Sequence, residues 1–247
     1  MEESRSTAVL LAAGRGARMG DGVPKQYRKI AGVPLIARTL NALGAGDVID
    51  DIVMVIPPGD EEYIREEIFP YAPEASQKVR AFAAGGPERY CSVHNGLEEI
   101  SWPCDYVYIH DGARPFIDVE SLRRLQEVVC VCGACVAGMP SKDTVKIADE
   151  DGFVADTPDR ARVWTVQTPQ VFRRDLITEC YRKLILLLPE INMRGIHITD
   201  DAQVFELLGG GRVKLVEASY RNIKITTPDD IAAAEVMCRE AGNRRSP

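Results

Sequence analysis

The chain has 247 residues, of which 45% are hydrophobic and 27% charged, and its formal net charge is -7. This length suits one large α/β domain with a sizeable core. The acidic balance argues against general binding to nucleic acids or anionic membranes. The longest apolar stretch, near residues 184–188, is too short to cross a bilayer, and the N-terminus has no apolar signal core. We therefore expect a cytoplasmic protein without nucleic-acid or membrane partners.

The seven cysteines are odd in number and irregularly spaced, which argues against a disulfide framework. Cys130, Cys132 and Cys135 have a C-x-C-x-x-C spacing that a metal site also uses. A fourth ligand is not nearby, because the three histidines are scattered along the chain. We therefore predict that these cysteines are small side chains of the core.

Apolar β-type runs alternate with amphipathic stretches over the first 140 residues. The predicted strands are residues 8–13, 52–56, 79–83, 106–110 and 134–139. The predicted helices are residues 35–43, 61–69, 90–100 and 119–131. This alternation predicts an α/β fold with a mostly parallel sheet and helices on both faces. Ligands of such sheets bind beyond the carboxyl ends of the strands.

The pattern changes after residue 139. Two short strand-like runs, residues 144–148 and 153–157, are joined by a segment that ends in Asp151-Gly152, and Asp-Gly favours a hairpin. We predict a β-arm over about residues 141–164 that projects far enough to touch a partner subunit. The remaining predicted strands are residues 163–171, 212–217 and 222–226, and a helix is predicted at residues 174–188. Two further helices are predicted after Thr199 and Thr227, whose hydroxyl groups we expect to cap them. We expect a single domain, residues 1–247, that includes this arm.

A glycine-rich loop follows the first predicted strand and ends at Pro24-Lys25. Its glycines and arginines are Gly14, Arg15, Gly16, Arg18, Gly20 and Gly22. Glycines let the backbone approach a ligand and turn N–H groups toward it, and arginine and lysine add positive charge that suits an oligophosphate. The spacing matches neither the dinucleotide fingerprint nor the P-loop. A flexible connection is the simpler interpretation of glycines alone, but the basic residues favour a nucleoside triphosphate site.

A second group of polar residues follows the predicted strand 106–110. Asp111 comes at the strand end, where a carboxylate suits Mg²⁺ bound to phosphates. Arg114 is placed to hold a second anion, although an ordinary turn with an internal Asp–Arg pair is the alternative. We expect His110 to be a hydrogen-bonded structural residue rather than a general base. By composition alone, Lys224, between two isoleucines, and Arg160 are expected on the surface.

Eight short motifs stand in order along the chain. They are Ala12-Ala13-Gly14 with Arg18 and Pro24-Lys25; Gly85-Gly86 with Glu88-Arg89 and Ser92; His110-Asp111 with Ala113-Arg114-Pro115; Lys142-Asp143-Thr144; Pro158-Asp159-Arg160; Gln167-Thr168-Pro169-Gln170; Thr199-Asp200; and Asn222-Ile223-Lys224. In this order they resemble the cytidylyltransferases that act on 2-C-methyl-D-erythritol 4-phosphate in the non-mevalonate isoprenoid pathway. The likeness covers residues 8–235 and implies a Rossmann-like nucleotidyltransferase fold.

The resemblance implies transfer of CMP from CTP to 2-C-methyl-D-erythritol 4-phosphate with Mg²⁺, giving the CDP-linked product and pyrophosphate. The attacking phosphate is already an anion, so alignment and charge neutralisation suffice. The catalytic residues implied are Arg18, Lys25, Arg160 and Lys224. The implied CTP-binding residues are Ala12, Ala13, Gly14, Gly16, Arg18, Lys25, Gly86, Ser92 and Asp111, and Asp111 is the implied metal ligand. The implied residues for the polyol phosphate are Asp111, Arg114, Thr144, Arg160, Thr168 and Lys224.

The family also implies that the arm interlocks with a second subunit and completes its site, so we expect a homodimer with shared active sites. Two other functions fit part of the pattern: cytidylyl transfer to ribitol or ribulose 5-phosphate, and nucleotide binding by a non-catalytic regulator. The motifs at residues 142–144 and 158–164 favour methylerythritol phosphate. The chain departs from the family at Arg221, where members often carry an acid, and at Gly112, where alanine is usual.

Overall fold

A seven-stranded mixed sheet forms the centre of the computed structural model, which describes residues 4–14 and 24–243. The strands of the described part are β1 (Ser6–Leu11), β2 (Lys29–Ile30), β3 (Val33–Pro34), β4 (Asp51–Ile56), β5 (Val79–Ala84), β6 (Tyr106–Asp111), β7 (Ala134–Pro140), β8 (Ile147–Ala148), β9 (Val154–Asp156), β10 (Trp164–Arg173) and β11 (Lys214–Glu217). The order across the large sheet is β11-β7-β10-β6-β1-β4-β5.

Strand direction follows the expected pattern. β1 pairs in parallel with β6 and β4, β4 with β5, and β7 with β11. Strand β10 is antiparallel to both of its neighbours, β6 and β7. The mostly parallel sheet predicted from the alternation of strands and helices is confirmed.

Helices cover both faces of the sheet. They are α1 (Leu35–Gly44), α2 (Glu61–Tyr63), α3 (Arg89–Glu98), α4 (Val119–Cys132), α5 (Arg174–Met193), α6 (Asp201–Leu207) and α7 (Pro228–Asn243). The predicted helix at 61–69 is irregular, because α2 passes into a π-helical turn (Ile64–Ile68) and then a 3-10 turn (Phe69–Tyr71). Among the residues described, no helix combines the length and apolar character that crossing a membrane requires.

Alternation along β1 divides the core into two layers. Leu10 faces one layer, where it lies with Leu40 of α1 and Leu122 of α4. Val9 faces the other, where it lies with Val93 of α3 and Leu184 of α5. All six side chains are fully buried, and each contributes about 1.5–3 kcal/mol relative to an exposed position. A strand that is buried on both faces must be apolar throughout, which is why β1 and β4 read as continuous apolar runs.

The parallel register brings the ends of four strands to one edge. Leu11, the last residue of β1, is paired with Val55 on one side and with Asp111 on the other. The Gly112 N–H donates to the Leu11 carbonyl at 2.8 Å, so the loops that follow β1 and β6 begin side by side. Similarly, the Gly85 N–H donates to the Ile56 carbonyl at 2.8 Å. The start of the glycine loop, residues 12–14, the Gly85-Gly86 turn and Asp111 therefore lie at the same edge of the sheet.

The predicted hairpin at residues 144–157 is present as the antiparallel pair β8 and β9. The Asp149 carboxylate accepts hydrogen bonds from the Asp151 and Phe153 N–H groups at 3.1 and 2.8 Å, which closes the turn. Three apolar side chains of the hairpin are exposed in the single chain: Ile147, Phe153 and Val154 are 50%, 73% and 61% exposed.

Two details of the C-terminal third were predicted wrongly. Residues 222–226 do not form a strand. The Ile225 N–H donates to the Ala113 carbonyl at 2.8 Å, and the Asn222 and Ile223 N–H groups donate to nearby carbonyls of the same segment. The side chains of Arg114 and Lys25 donate to the carbonyls of Asn222 and Ile225. Helix α6 is capped by Asp200, whose carboxylate accepts from the Gln203 N–H at 2.9 Å, and not by Thr199. Asp is as good a cap as Thr, so the sequence allowed either residue.

The prediction for the cysteines is right for one residue and wrong for two. Cys135 begins β7 and is buried, as predicted. Cys130 and Cys132 are exposed, because they lie on the solvent side of the last turn of α4. Their neighbour Val131 is exposed as well.

Candidate active site

Three cationic side chains converge on Asp111, the last residue of β6. The Lys224 Nζ lies 2.7 Å from Oδ2, the Arg89 Nε lies 3.5 Å from Oδ1, and the Arg114 Nε lies 4.0 Å from Oδ2. Burial alone would raise the pKa of Asp111, but Arg89, Lys224 and Arg114 together hold it well below its usual value. Asp111 is therefore an ionised carboxylate near neutral pH.

The arginine and the lysine reach this carboxylate from different parts of the chain. Arg114 is largely buried, and burial lowers its pKa while Asp111 opposes that shift. Its Nη1 donates to the Asn222 carbonyl at 2.8 Å, and its Nε has no hydrogen-bond partner among the described residues. Lys224 is 41% exposed. Asp111, Arg114 and Lys224, which the sequence singled out separately, thus form one cluster.

His110 is held in a chain of hydrogen bonds beside Asp111. Its Nε2 lies 3.0 Å from the Arg114 carbonyl, which only accepts, so Nε2 carries the proton. Nδ1 therefore accepts from the Thr168 hydroxyl at 3.0 Å, and the Thr168 oxygen accepts from the Asp111 N–H at 3.0 Å. Burial lowers the pKa of His110 to about 4. The expected structural histidine is confirmed by these contacts.

Asn222 joins three parts of the cluster. It is fully buried, and its Nδ2 donates to the Gln167 Oε1 and the Thr168 carbonyl at 2.9 Å each. Its own carbonyl accepts from Arg114 at 2.8 Å. A buried amide with several bonds fixes its neighbours, since leaving such a group unpaired costs about 1–3 kcal/mol. Sequence reasoning gave Asn222 no role beyond its motif.

The turns next to this cluster pack too closely for larger side chains. A Cβ on Gly85 would lie 2.1 Å from the Ala13 Cβ, and one on Gly86 would lie 2.3 Å from the Cys91 Cβ. The Gly86 N–H donates to the Ser92 Oγ at 3.0 Å, so Ser92 shapes this turn from the first half of α3. Ala12, Ala13 and Gly14 follow β1 at the same edge, where the Ala12 N–H donates to the Val55 carbonyl at 2.7 Å.

Lys25, at the C-terminal end of the glycine loop, contacts the segment that carries Lys224. Its Nζ donates to the carbonyl of Ile225, the residue after Lys224, at 3.1 Å. Gly16 and Arg18, which the sequence also assigns to the nucleotide, lie outside the described residues. The described part of the loop therefore adds Lys25 to the basic surroundings of Asp111.

Arg89 is a further residue of the cluster that the sequence left without a role. It is the first residue of α3, and its Nη1 and Nη2 donate to the two oxygens of Asp201 at 2.8 and 2.7 Å. Burial would lower the pKa of Arg89, but Asp201 and Asp111 raise it well above its usual value. Pairing between residues so distant in sequence has no periodic pattern, so only the structure reveals it.

Thr144 and Arg160 lie apart from this cluster within the single chain. Both are exposed at the base of the arm, and the Arg160 Nη1 donates to the Lys142 carbonyl at 3.2 Å. Lys142 in turn lies over the Tyr220 ring, 3.4 Å from its centre. Within the described residues, no hydrogen bond or ion pair joins Thr144 or Arg160 to Asp111 or Lys224.

The fold and the cluster define an α/β enzyme that handles phosphate groups: cations gather around one ionised carboxylate at the carboxyl edge of a parallel sheet, beside tight glycine turns. Residues 6–240 match the family model described as IspD, 2-C-methyl-D-erythritol 4-phosphate cytidylyltransferase. The chain belongs to this family.

Individual relatives agree with the family match. The chain is 43% identical over 234 residues to the 2-C-methyl-D-erythritol 4-phosphate cytidylyltransferase of Lachnospira eligens, covering 95% of this chain and 99% of the relative. It is 40% identical to the enzyme of the same name from Alkaliphilus oremlandii, covering 96% of each. The solved 4-diphosphocytidyl-2C-methyl-D-erythritol synthase of Anaerococcus prevotii superposes with a TM-score of 0.81 at 32% identity, covering 96% of both chains.

The family resemblance seen in the sequence is therefore confirmed, and with it the class of enzyme. The chain is a cytidylyltransferase that transfers a cytidylyl group from CTP to 2-C-methyl-D-erythritol 4-phosphate. Both of these relatives carry the name of the methylerythritol phosphate enzyme, and neither carries the name of a pentitol phosphate enzyme or of a regulator.

Proposed function

We propose that this enzyme catalyses cytidylyl transfer by alignment and charge neutralisation, with no general base. The phosphate oxygen of 2-C-methyl-D-erythritol 4-phosphate attacks the α-phosphorus of CTP, and the bond to the pyrophosphate leaving group breaks. The observation that carries this proposal is the convergence of Lys224, Arg89 and Arg114 on Asp111. His110 is unsuited to act as a base, because both ring nitrogens are already engaged.

We assign the nucleotide to the turns at the edge of the sheet. Ala12, Ala13, Gly14 and Gly16 would turn N–H groups toward the phosphates, and Arg18 and Lys25 would neutralise charge that develops on them. Gly86 and Ser92 would hold the cytosine. The Ser92 oxygen accepts one hydrogen bond from the Gly86 N–H, and its second lone pair is available to a base amino group.

Asp111 is the residue that would hold Mg²⁺. The fit is supported by its ionised state, since Mg²⁺ commonly takes one or two protein carboxylates and completes its shell with water and phosphate oxygens. When bound, the ion would neutralise and orient the phosphates of CTP. Within the described residues, no cluster of three histidine, cysteine or acidic side chains offers an all-protein site, so the phosphates would supply the remaining ligands.

The second substrate is assigned to the basic side of the cluster. Arg114 and Lys224 would bind its phosphate, and this role is supported by the Nε of Arg114, which donates no hydrogen bond within the described residues. Thr168 would act mainly through Asp111, because its hydroxyl already bonds on both sides. The charged, water-soluble nature of both substrates supports the cytoplasmic location expected from the sequence.

Thr144 and Arg160 would complete the site of a second copy of the chain. A two-stranded hairpin is marginally stable alone, and this one exposes Ile147, Phe153 and Val154. Docking of the arm on a partner would bury these side chains. We therefore propose a homodimer with shared active sites, each subunit consisting of one nucleotidyltransferase domain, residues 1–247, with its arm at residues 141–164.

The test is an acceptor comparison with purified protein, Mg²⁺ and CTP, in which pyrophosphate release is followed. Turnover is expected with 2-C-methyl-D-erythritol 4-phosphate and at least a hundredfold less with ribitol or ribulose 5-phosphate. Asp111→Asn and Lys224→Ala should each lose most of the turnover, whereas Lys214→Ala, on the exposed edge strand β11, should retain it. Retained turnover in Asp111→Asn would remove that carboxylate from the mechanism.

A further inference from the structure

Arg89 contacts two carboxylates, those of Asp201 and Asp111. Its guanidinium contacts Asp201 through Nη1 and Nη2 and Asp111 through Nε, so its three nitrogens are all engaged. Asp201 is fully buried, and it also accepts a hydrogen bond from the Tyr181 hydroxyl. A buried carboxylate without a charged partner is strongly destabilising, so Asp201 holds the guanidinium firmly in one plane.

In that plane the Nε of Arg89 faces Asp111. With both Nη atoms bonded to Asp201, Nε lies 3.5 Å from the Asp111 Oδ1, while Lys224 lies 2.7 Å from Oδ2. Oδ1 of Asp111 therefore faces Arg89, and Oδ2 faces Lys224 with Arg114 farther away at 4.0 Å. Arg89 and Lys224, the two nearest cations, come from different parts of the chain. Arg89 is the more deeply anchored of the two, because Lys224 belongs to an irregular segment and is partly exposed.

The position of Arg89 in the chain connects this contact to the nucleotide side of the site. It begins α3, two residues after the Gly85-Gly86 turn and Pro87, and Ser92 of the same helix accepts the Gly86 N–H. Asp201 begins α6 on the other side of Arg89. The same residue thus fixes the start of α3 and the direction of the Asp111 carboxylate.

We propose that Arg89 is a positioning residue for cytidylyl transfer: held by Asp201, it orients the Asp111 carboxylate relative to the nucleotide turn. This inference rests on the role proposed above for Asp111. Lysine cannot substitute, because a single ammonium group does not span both oxygens of Asp201 and reach Asp111 as the guanidinium fork does. The contribution of Arg89 is therefore to geometry as well as to charge.

The first test compares Arg89→Lys with Arg80→Gln as a matched control. Arg80 also lies 3.5 Å from a largely buried aspartate, Asp51, but at the start of β4, away from the site. In Arg89→Lys we expect kcat to fall at least tenfold, while KM for both substrates and the calorimetric Kd of CTP stay within threefold. Arg80→Gln should keep kcat within twofold, whatever its effect on Tm.

The second test is a double-mutant cycle with Asp201→Asn, which keeps the shape of the side chain and removes its charge. If Arg89 acts through Asp201, the double variant should have a kcat no lower than the worse single variant. Rates are expressed per CTP-binding site from the calorimetric stoichiometry, so that a loss of folded protein does not count as a loss of kcat.

Two results would overturn the inference. One is an Arg89→Lys enzyme with kcat within twofold of the parent; the other is a pair of variants whose losses in kcat simply multiply. Asp111→Asn, measured alongside, separates this inference from the proposed function. If Asp111→Asn is inactive and Arg89→Lys is normal, only the positioning role fails; if Asp111→Asn is active, the role of Asp111 fails.

Discussion

At the scale of single residues, positive charge is concentrated around one carboxylate. The chain carries a net charge of -7, yet Arg89, Arg114 and Lys224 gather around Asp111, and Lys25 donates to the carbonyl of the residue after Lys224. Groups fixed in this way need no reorganisation when charge develops in the transition state, which is the main electrostatic advantage of an enzyme over water. The surrounding acids keep the rest of the surface unattractive to other polyanions.

Lys25 offers a direct test of this arrangement. Lys25→Ala should lower kcat about a hundredfold, the loss typical of removing one donor that stabilises transition-state charge. The far-UV circular dichroism spectrum should be unchanged, because the bond from the Lys25 Nζ to the Ile225 carbonyl, at 3.1 Å, joins two segments that lie outside the strands of the sheet. Lys29→Ala is the control: that lysine lies near Tyr71, 3.0 Å from its hydroxyl, outside the cluster. Near-normal turnover in Lys25→Ala would exclude a catalytic role.

His110 makes folding stability depend on pH in a predictable direction. Its pKa is about 4 in the fold and about 6.5 in an unfolded chain, so the unfolded state takes up the proton first as the pH falls. This contribution to stability is complete above pH 6.5 and is lost progressively down to pH 4. The free energy of unfolding should drop by about 2 kcal/mol from pH 7.5 to pH 5 on account of this residue.

The measurement is urea unfolding of the parent and of His110→Gln at both pH values. The variant is expected to be less stable at pH 7.5, because it disturbs the bonds to Arg114 and Thr168, but its stability should fall less on acidification. His197→Gln, at an exposed position, should keep the pH dependence of the parent. An equal fall in His110→Gln and parent would show that His110 does not titrate in this way.

At the scale of elements, two turns of the proposed nucleotide site approach each other closely. Gly85 lies against Ala13, so Gly85→Ala places two Cβ atoms 2.1 Å apart and must push the turn after β1 away from the one after β5. We expect the Kd of CTP in Gly85→Ala to rise at least tenfold by calorimetry. The remaining neighbours of the added Cβ, at 3.5 Å, are in ordinary contact.

A compensating substitution tests the cause. In Gly85→Ala/Ala13→Gly the clashing methyl group is removed from the opposite turn, and most of the CTP affinity should return. Ala13→Gly alone is expected to have a small effect, since it only adds freedom to the backbone. If the double variant binds CTP as poorly as Gly85→Ala, the contact between the turns is not what limits binding.

These elements also show how far the sequence predicts the structure. The strands of the parallel sheet were predicted to within about two residues, because their burial on both faces demands continuous apolar runs. Asp111 and Arg114 were identifiable because strand ends of such a sheet form the ligand edge. Lys224 was singled out only by resemblance, since a lysine between two isoleucines reads as a solvent-facing strand position.

The features that escaped prediction depend on side-chain contacts between distant segments. Residues 222–226 are β-branched enough to suggest a strand, but Arg114 and Ala113 take up their backbone groups instead of a neighbouring strand. The bidentate pair of Arg89 and Asp201 joins the first residues of two helices. Neither arrangement repeats at a regular spacing in the sequence, so secondary-structure propensity and hydrophobic periodicity do not predict it.

At the scale of the whole molecule, the homodimer that we propose would join the arm of one subunit to the cluster of the other. Thr144 and Arg160, which the resemblance assigns to the substrate, have no ion pair or hydrogen bond to the Asp111 cluster within the described residues. The arm that carries them exposes apolar side chains. A dimer in which each arm reaches the other subunit's cluster accounts for both observations, because closed two-fold pairing lets two identical arms exchange.

Sharing of the site predicts recovery of activity in mixed dimers. Arg160→Ala and Lys224→Ala should each be nearly inactive alone. In a hybrid of the two, one site carries both defects and the other carries neither, provided that Arg160 and Lys224 of one site come from different subunits. After equal amounts are unfolded together and refolded, half of the dimers are hybrids with one intact site, so activity should return to about a quarter of the parent.

Lys25→Ala mixed with Lys224→Ala is the matched control. Lys25 is bonded to the residue after Lys224 in the same chain, so every site of that hybrid keeps one defect and no activity should return. Hybrids of Arg160→Ala and Lys224→Ala that form, as shown by native mass spectrometry, but stay inactive would rule out the shared site.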